Sequence, residues 1–198
     1  MAVALAACSD SDAGSTSTTS SGQSELWEVP EDPIALTVEA GLTPEVKEFL
    51  DNHVHAHLDL FVDGEPITIP AGIGVDTDNP GVRQFTEGGD IAFGGIEECD
   101  EPCISPLHTH DVSGVLHTEA RSDDENTLGQ FFIEWGQRLD ATCVATYCEP
   151  DEDVEVYVDG ERYEGNPADI GLSDLLEIAI VIGTPPDEIP STGDFSNA

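Results

Sequence analysis

The stretch HVHAHLDLFV at residues 53–62 constrains the fold most, because its polar and apolar side chains alternate strictly. Successive side chains of a β-strand point to opposite faces, so the pattern predicts an amphipathic strand with one apolar face. The polar face carries His53, His55, His57 and Asp59. The Asp63-Gly64 pair that follows is typical of a tight hairpin turn, with a returning strand at 67–69.

A second run, LHTHDVSGVLH at residues 107–117, holds the other histidines of the chain, which are His108, His110 and His117. The pattern predicts another hairpin, with DVSG as its loop and His108 opposite His117. Side chains at directly paired strand positions have Cβ atoms about 4.5–5.5 Å apart, so two such imidazoles reach one ion. Glu119 falls on the same face, and Asp111 lies at the loop.

The gathering of all six histidines into two strand-like runs predicts a metal site. Its expected ligands are His53, His55, His57, His108, His110 and His117. The ends of the first row would stand about 13 Å apart. One ion would therefore take two neighbours, such as His55 and His57, and complete its shell from the second hairpin. Imidazole suits zinc, copper, iron and nickel, and copper or zinc is the expected cofactor.

Three functions agree with this pattern. The first is a lipoprotein that captures or buffers copper or zinc in a closed ligand shell. The second is a metal-dependent enzyme, a hydratase, hydrolase or oxidoreductase, with Glu119 or Asp111 as its base. The third is a surface interaction module whose histidines sense pH. The chain contains no nucleophile elbow, Walker loop or dinucleotide-binding glycine motif, which leaves the metal hypotheses ahead.

The start of the chain resembles a lipoprotein signal. Leu5-Ala6-Ala7-Cys8 matches a lipobox with Cys8 as the lipidated residue, and a Ser/Thr/Gly-rich stretch follows. The expected location is therefore extracytoplasmic, lipid-anchored to the cell membrane. The predicted organisation is a truncated signal at 1–8, a flexible tether at 9–33, a single β-rich metal-binding domain at 34–186 and an acidic tail at 187–198.

Four further cysteines fit an oxidising compartment. They are Cys99, Cys103, Cys143 and Cys148. An even number in an exported chain predicts two disulfides, with three pairings open; the two local pairs would each close a short loop. A zinc site made of all four, or Cys103 as a ligand near His108, is the alternative.

The charge balance restricts the partners. Forty-two acidic residues against five basic ones give a formal charge of −37, which repels nucleic acid and anionic lipid headgroups. The expected partners are thus a metal ion and, only through a lipid anchor, a membrane. The acidic residues are spread along the chain, which favours a halophilic protein over an ordinary secreted protein of low pI.

The remaining patterns predict a mostly β fold. LTPEVKEFLDN predicts a helix at about 44–51, and Thr127 with Gln130 forms a capping box for a helix that ends near Gly136. Strands are expected at 91–93, 154–163 (as a hairpin) and 177–183. The predicted class is an antiparallel sandwich or barrel-like sheet with two short helices. The alternative is an α+β fold, and a cupin-like jelly roll ranks lower.

Three quoted motifs together resemble a family of exported bacterial and archaeal proteins. They are HVHAHLDLFVDGEPITIPAGIG, CISPLHTHDVSGVLHTEA and TLGQFFIEWG. The resemblance covers roughly residues 53–183. It implies one recurring unit, with the six histidines and Glu119 at the motif positions, but no mechanism, because the family has no established activity. The chain departs from the family in its extreme acidity.

Overall fold

The computed structural model describes residues 26–96, 98–122 and 125–195. The lipobox cysteine Cys8 and most of the expected tether lie outside these ranges. Inside them, no helix has both the length and the apolar character needed to cross a bilayer.

The fold class is confirmed, because strands dominate and the α-helices are two and short. In chain order the elements are α1 (Pro33–Glu39), β1 (Asn52–Val62), β2 (Glu65–Ile67), β3 (Arg83–Glu87), β4 (Asp90–Gly94), β5 (Leu107–His108), β6 (Val115–Ala120), α2 (Leu128–Glu134), β7 (Cys143–Val144), β8 (Tyr147–Cys148), β9 (Val154–Val158), β10 (Glu161–Arg162), a 3₁₀ turn (Pro167–Asp169) and β11 (Leu176–Ile182). The strands expected near 91–93, 154–163 and 177–183 are all present.

Strand β1 lies at the centre of a seven-stranded sheet. The order is β10-β9-β11-β1-β6-β5, with β2 paired to the far end of β1, and two small hairpins, β3-β4 and β7-β8, stand apart from it. As far as the chain is described, the sheet stays open and forms no closed barrel. The β1-β11 pair is parallel, whereas the other strand pairs of the described residues are antiparallel. A parallel pair requires a long crossover, and about 110 residues separate the two strands.

The apolar face of the sheet packs against α2. From β1 and β11 this face presents Ala56, Leu58, Leu60, Val62, Ile178, Ile180 and Ile182. Helix α2 contributes Phe131 and Phe132, followed by Trp135, all fully buried. The helix begins as expected, since the Thr127 hydroxyl and the Gln130 side chain both accept backbone N–H bonds of the predicted capping box. The core is thus complete without any histidine.

The prediction of a helix at 44–51 is wrong. This segment is irregular, and the backbone of Glu45 instead pairs with Ile104. The Glu45 N–H donates to the Ile104 carbonyl at 2.7 Å, and the Glu45 carbonyl accepts from Cys103 at 2.8 Å. Since these groups bond to another part of the chain, the segment cannot also form helical hydrogen bonds.

Both local disulfides are confirmed. Cys99 is bonded to Cys103, and Cys143 to Cys148. The alternatives of a four-cysteine zinc site and of Cys103 as a ligand are therefore wrong, because the sulfurs are consumed. The first disulfide closes the loop that holds the Glu45 segment in place.

The packed structure extends into both regions that flank the expected domain. Trp27, inside the range predicted as tether, is 6% exposed and stacks against Tyr147. At the other end, the ring of Phe195 lies edge-on to the ring of His57, with centroids 6.1 Å apart. The chain beyond β11 therefore returns to the polar face of the sheet.

Glu134 is a fully buried carboxyl group at the end of α2. The Ser105 hydroxyl donates to its Oε1, and its Oε2 lies 3.0 Å from the hydroxyl of Thr37. The single proton of that hydroxyl also has the Pro33 carbonyl as an acceptor at 3.0 Å. A protonated Glu134 satisfies all three groups, because it donates to Thr37 while Thr37 donates to Pro33. Burial raises the pKa of Glu134 to about 7.

We expect Glu134→Gln to stabilise the protein at pH 8. The wild-type folded state keeps its Glu134 proton up to about pH 7, whereas the unfolded chain releases it near pH 4.5. Stability is therefore lost as the pH rises through this window. A shift of this size corresponds to on the order of 3 kcal/mol, and the Gln amide can donate to Thr37 at any pH. Urea unfolding at pH 4 to 8 measures the difference.

The matched control for this prediction is Glu161→Gln, because Glu161 on β10 is exposed and its carboxylate stays in solvent on folding. The free energy of unfolding of Glu161→Gln should differ from that of the wild-type protein by the same amount across this pH range. If the difference in free energy of unfolding between Glu134→Gln and the wild-type protein is also independent of pH, Glu134 is not a protonated buried carboxyl group.

Candidate metal centre

The polar face of the sheet is where the histidines meet. In the antiparallel pairing of β1 with β6, His55 lies opposite His117 and His53 lies opposite Glu119. In the pairing of β5 with β6, His108 lies opposite His117, as the sequence predicts. His117 thus has an imidazole on each side, and the three strands build one continuous cluster.

The cluster consists of two triads, and within each triad the three ligand atoms lie within 4.8 Å of one another. The first is His53, His55 and His117, and the second is His108, His110 and Glu119. The triads adjoin each other, because the ring centroid of His117 lies 4.8 Å from that of His55 and 4.4 Å from that of His110. We refer to these six residues as the histidine cluster.

The carboxylate of Glu119 connects the two triads. Its Oε1 lies 3.3 Å from His53 Nε2, 3.7 Å from His110 Nε2 and 3.9 Å from His117 Nδ1. The other oxygen, Oε2, is buried without a hydrogen-bond partner among the described residues. Glu119 is 6% exposed, so its negative charge lies in a desolvated position that favours a nearby cation.

Backbone carbonyls fix the rings of His108 and His110. His108 Nδ1 donates to the Ser105 carbonyl at 2.9 Å, and His110 Nδ1 donates to the Phe93 carbonyl at 2.7 Å. In the neutral form of each ring, Nδ1 carries the proton and Nε2 carries a lone pair. These two Nε2 atoms face each other at 3.2 Å. Proteins commonly orient a metal-ligating histidine in this way, through a hydrogen bond from the ring nitrogen that does not bind the metal.

Two further ring nitrogens point into the cluster with no protein partner. His55 Nε2 and His117 Nδ1 are buried atoms without a hydrogen bond to any residue that the structure describes. Unsatisfied buried polar atoms are rare in proteins, and a water molecule or a bound ion commonly supplies the missing partner. In contrast, His53 lies at the mouth of the cluster with 38% of its side chain exposed.

Most of these imidazoles are held neutral. Burial lowers the pKa of His108 to about 3, and burial together with the neighbouring imidazoles lowers the pKa of His117 strongly. Burial also lowers the pKa of His55. At His110 burial acts in the same direction, but the Glu119 carboxylate outweighs it and raises the pKa. Neutral imidazole is the form that binds metals, so the cluster is prepared for ligation.

His57 does not join the cluster, contrary to the expectation that it shares an ion with His55. It belongs to a separate group with Asp59 and Glu177. Its Nδ1 lies 2.9 Å from a carboxylate oxygen of Glu177, and its Nε2 lies 2.9 Å from the Ser113 carbonyl. The reason is the parallel pairing of β1 with β11, which places Glu177 directly beside His57.

The two acidic residues expected as bases have different positions. Glu119 lies within the histidine cluster. The Asp111 carboxylate instead accepts the Ser113 N–H at 2.8 Å, an arrangement that stabilises the turn before β6.

Sequence reasoning missed Glu48. Burial and the charge of Glu119 raise its pKa, while the charge of His110 lowers it, so this carboxyl group lies close enough to the cluster to interact with both residues electrostatically. Its Oε1 is buried without a hydrogen-bond partner in the described ranges. Nothing in the sequence pattern indicated Glu48, because the predicted helix at 44–51 does not place this residue near Glu119 on β6.

Comparison of this chain with protein-family models, with curated proteins and with solved structures finds no match.

Proposed function

We propose that the protein binds copper or zinc through the histidine cluster and acts outside the cytoplasmic membrane as a metal-capturing lipoprotein. The observation that carries this proposal is the pair of facing Nε2 atoms of His108 and His110. Both rings donate their Nδ1 protons to backbone carbonyls, so in the neutral rings two lone pairs point at each other across 3.2 Å. This repulsion is relieved either by a proton on His110, whose pKa is raised, or by a metal ion between the two nitrogens. The buried His55 Nε2 and His117 Nδ1, which have no hydrogen-bond partner among the described residues, favour the metal ion.

The spacing suits a metal ion. Two nitrogens bonded to one tetrahedral zinc at about 2.0–2.1 Å lie roughly 3.3 Å apart, close to the distance between these Nε2 atoms. The remaining ligand atoms of the cluster complete a shell of four or more protein groups. Imidazole-rich sites favour copper and zinc over calcium or magnesium, and no thiolate competes, since the cysteines of the domain form disulfides.

The proposed location rests on the lipobox at Cys8 and on chemistry elsewhere in the chain. Two disulfides require an oxidising compartment to form and persist in most organisms, which agrees with export. Outside the membrane the protein meets metal ions before they enter the cell. A buried, nitrogen-rich cluster is suited to retain them.

A metal-dependent enzyme is the second candidate, and Glu48 is the observation that favours it. Its carboxyl group interacts electrostatically with Glu119 and His110, its pKa is raised, and its buried Oε1 has no hydrogen-bond partner among the described residues. A general base near a metal-bound water has this character. His53 at the exposed mouth would then leave room for a substrate, and Glu119 would act as a ligand rather than as the base.

We expect His110→Ala and His55→Ala each to weaken copper binding by at least about 100-fold, because the two residues belong to different triads of one cluster. The measurement is titration of the full chain with Cu²⁺. Electron paramagnetic resonance should show coupling to several nitrogens in the wild-type protein and to fewer in the variants.

Asn52→Ala is the control, because Asn52 lies on the same strand but belongs to neither group of potential metal ligands on it. It should leave the copper spectrum unchanged. If the wild-type protein binds neither copper nor zinc, the proposal is wrong, and proton binding by the histidines is the next hypothesis. If only one of the two cluster variants loses copper, the triads do not share a centre.

We expect Gly94→Ala to weaken copper binding by about 10-fold without unfolding the protein. A Cβ at position 94 would lie 3.3 Å from His110 Nδ1, so it crowds the ring that donates to the Phe93 carbonyl. Loss of such an orienting contact commonly costs 10–100-fold in metal affinity. Titration with Cu²⁺ measures the affinity of the variant, and thermal unfolding tests whether the variant is folded.

Thr86→Ala on the neighbouring strand β3 provides the control for Gly94→Ala, because Thr86 is exposed. It should bind copper like the wild-type protein. Wild-type affinity in Gly94→Ala would show that the orientation of His110 does not limit binding.

A further inference from the structure

The group formed by His57, Asp59 and Glu177 lies outside the histidine cluster, and two of its three members are buried. Glu177 is 1% exposed and His57 is 7% exposed. His57 Nδ1 lies 2.9 Å from Glu177 Oε2 and 3.8 Å from Asp59 Oδ2. One imidazole and two carboxylates therefore converge at the junction of β1 and β11.

The hydrogen bonding of this group is incomplete. The Nε2 of His57 donates to the Ser113 carbonyl, so the ring presents its Nδ1 to the Glu177 carboxylate, as a lone pair when it is neutral and as an N–H donor when it is protonated. Neither oxygen of Glu177 nor His57 Nδ1 makes a well-aligned hydrogen bond to a described residue. A carboxylate buried to this degree is costly unless a positive charge compensates it.

A proton between His57 and Glu177 would compensate only part of the charge. The group would then hold one positive charge and two negative charges. A divalent cation balances both carboxylates and also accepts the lone pair of the neutral imidazole. The distance agrees with this, because adjacent ligands of an octahedral ion with bonds of about 2.1 Å lie about 3 Å apart.

The end of the chain covers this group. Gly193 lies so close that a Cβ there would come within 2.5 Å of His57 Cβ and 2.8 Å of Glu177 Oε2. The Phe195 ring then stands edge-on to the imidazole. The cover limits access of water, which strengthens the interaction of a bound cation with the carboxylates.

We propose that His57, Asp59 and Glu177 form a second metal site, separate from the histidine cluster and selective for a harder divalent cation such as Mn²⁺ or Fe²⁺. Carboxylate ligands suit Mn²⁺, whereas the imidazole retains affinity for first-row transition ions. The two sites occupy adjacent positions on one face of β1, at His55 and His57, yet they differ in ligand chemistry. The chain thus binds two classes of metal ion.

The test is Mn²⁺ binding to the full chain carrying His55→Ala and His110→Ala, which disable the cluster. Binding is followed by electron paramagnetic resonance of free Mn²⁺ at an ionic strength of 1 M, where the Debye length is about 3 Å and the acidic surface is screened. We expect one Mn²⁺ per chain. Bound Mn²⁺ should also broaden the nuclear magnetic resonance signals of Phe195, which locates the ion.

In the same background, Glu177→Gln should weaken Mn²⁺ binding by at least about 100-fold and Asp59→Asn by about 10-fold. Asp59 is partly exposed, so its variant remains informative if Glu177→Gln does not fold. Glu161→Gln, an equal loss of charge on the same sheet, should have no effect.

The proposal is overturned if the cluster-disabled chain binds no Mn²⁺, or if Asp59→Asn and Glu177→Gln bind it like their parent. These outcomes do not depend on copper binding by the cluster, because every protein in this test lacks one imidazole of each triad. Conversely, a failure of copper binding leaves the Mn²⁺ result valid.

Discussion

The register between β1 and β6 is the constraint on which the rest of the structure depends. It places His55 against His117 and His53 against Glu119 on one face, while Ala56 joins the core on the other face. A shift by one residue would turn the imidazoles toward α2 and the apolar side chains toward Glu119. The packing of the apolar face therefore fixes the geometry of the polar face, and the core selects the register in which the ligands meet.

Some side chains of the polar face are positioned by elements other than β1 and β6. The strand β5 ends at His108, so His110 is positioned by its hydrogen bond to Phe93 on the separate β3-β4 hairpin. Glu48 is positioned by the Glu45 segment, which the Cys99–Cys103 loop holds. Ligands on independent elements can be ordered together by a shared ion, and part of the binding free energy of a metal then becomes folding free energy.

The features that depend on local periodicity could be predicted from the sequence. The alternation in β1, the hairpin at Asp63-Gly64 and the pairing of His108 with His117 follow from it. The separation of His57 from His55 did not follow, because it arises from the parallel pairing with β11, more than 100 residues away. Nothing in the pattern around Glu177 fixes that register. Glu48 was missed for a related reason, since its segment bonds to a distant disulfide loop rather than to itself.

The net charge of −37 bears on why the ligands are buried. An acidic surface concentrates cations of every kind, and it discriminates poorly among them because exposed carboxylates bind them loosely. At high ionic strength, sodium and potassium also screen this attraction. Selectivity for a transition metal must then come from nitrogen ligands that alkali ions do not use. His108 and His117, buried and held neutral, meet that requirement, whereas the carboxylates of the surface cannot.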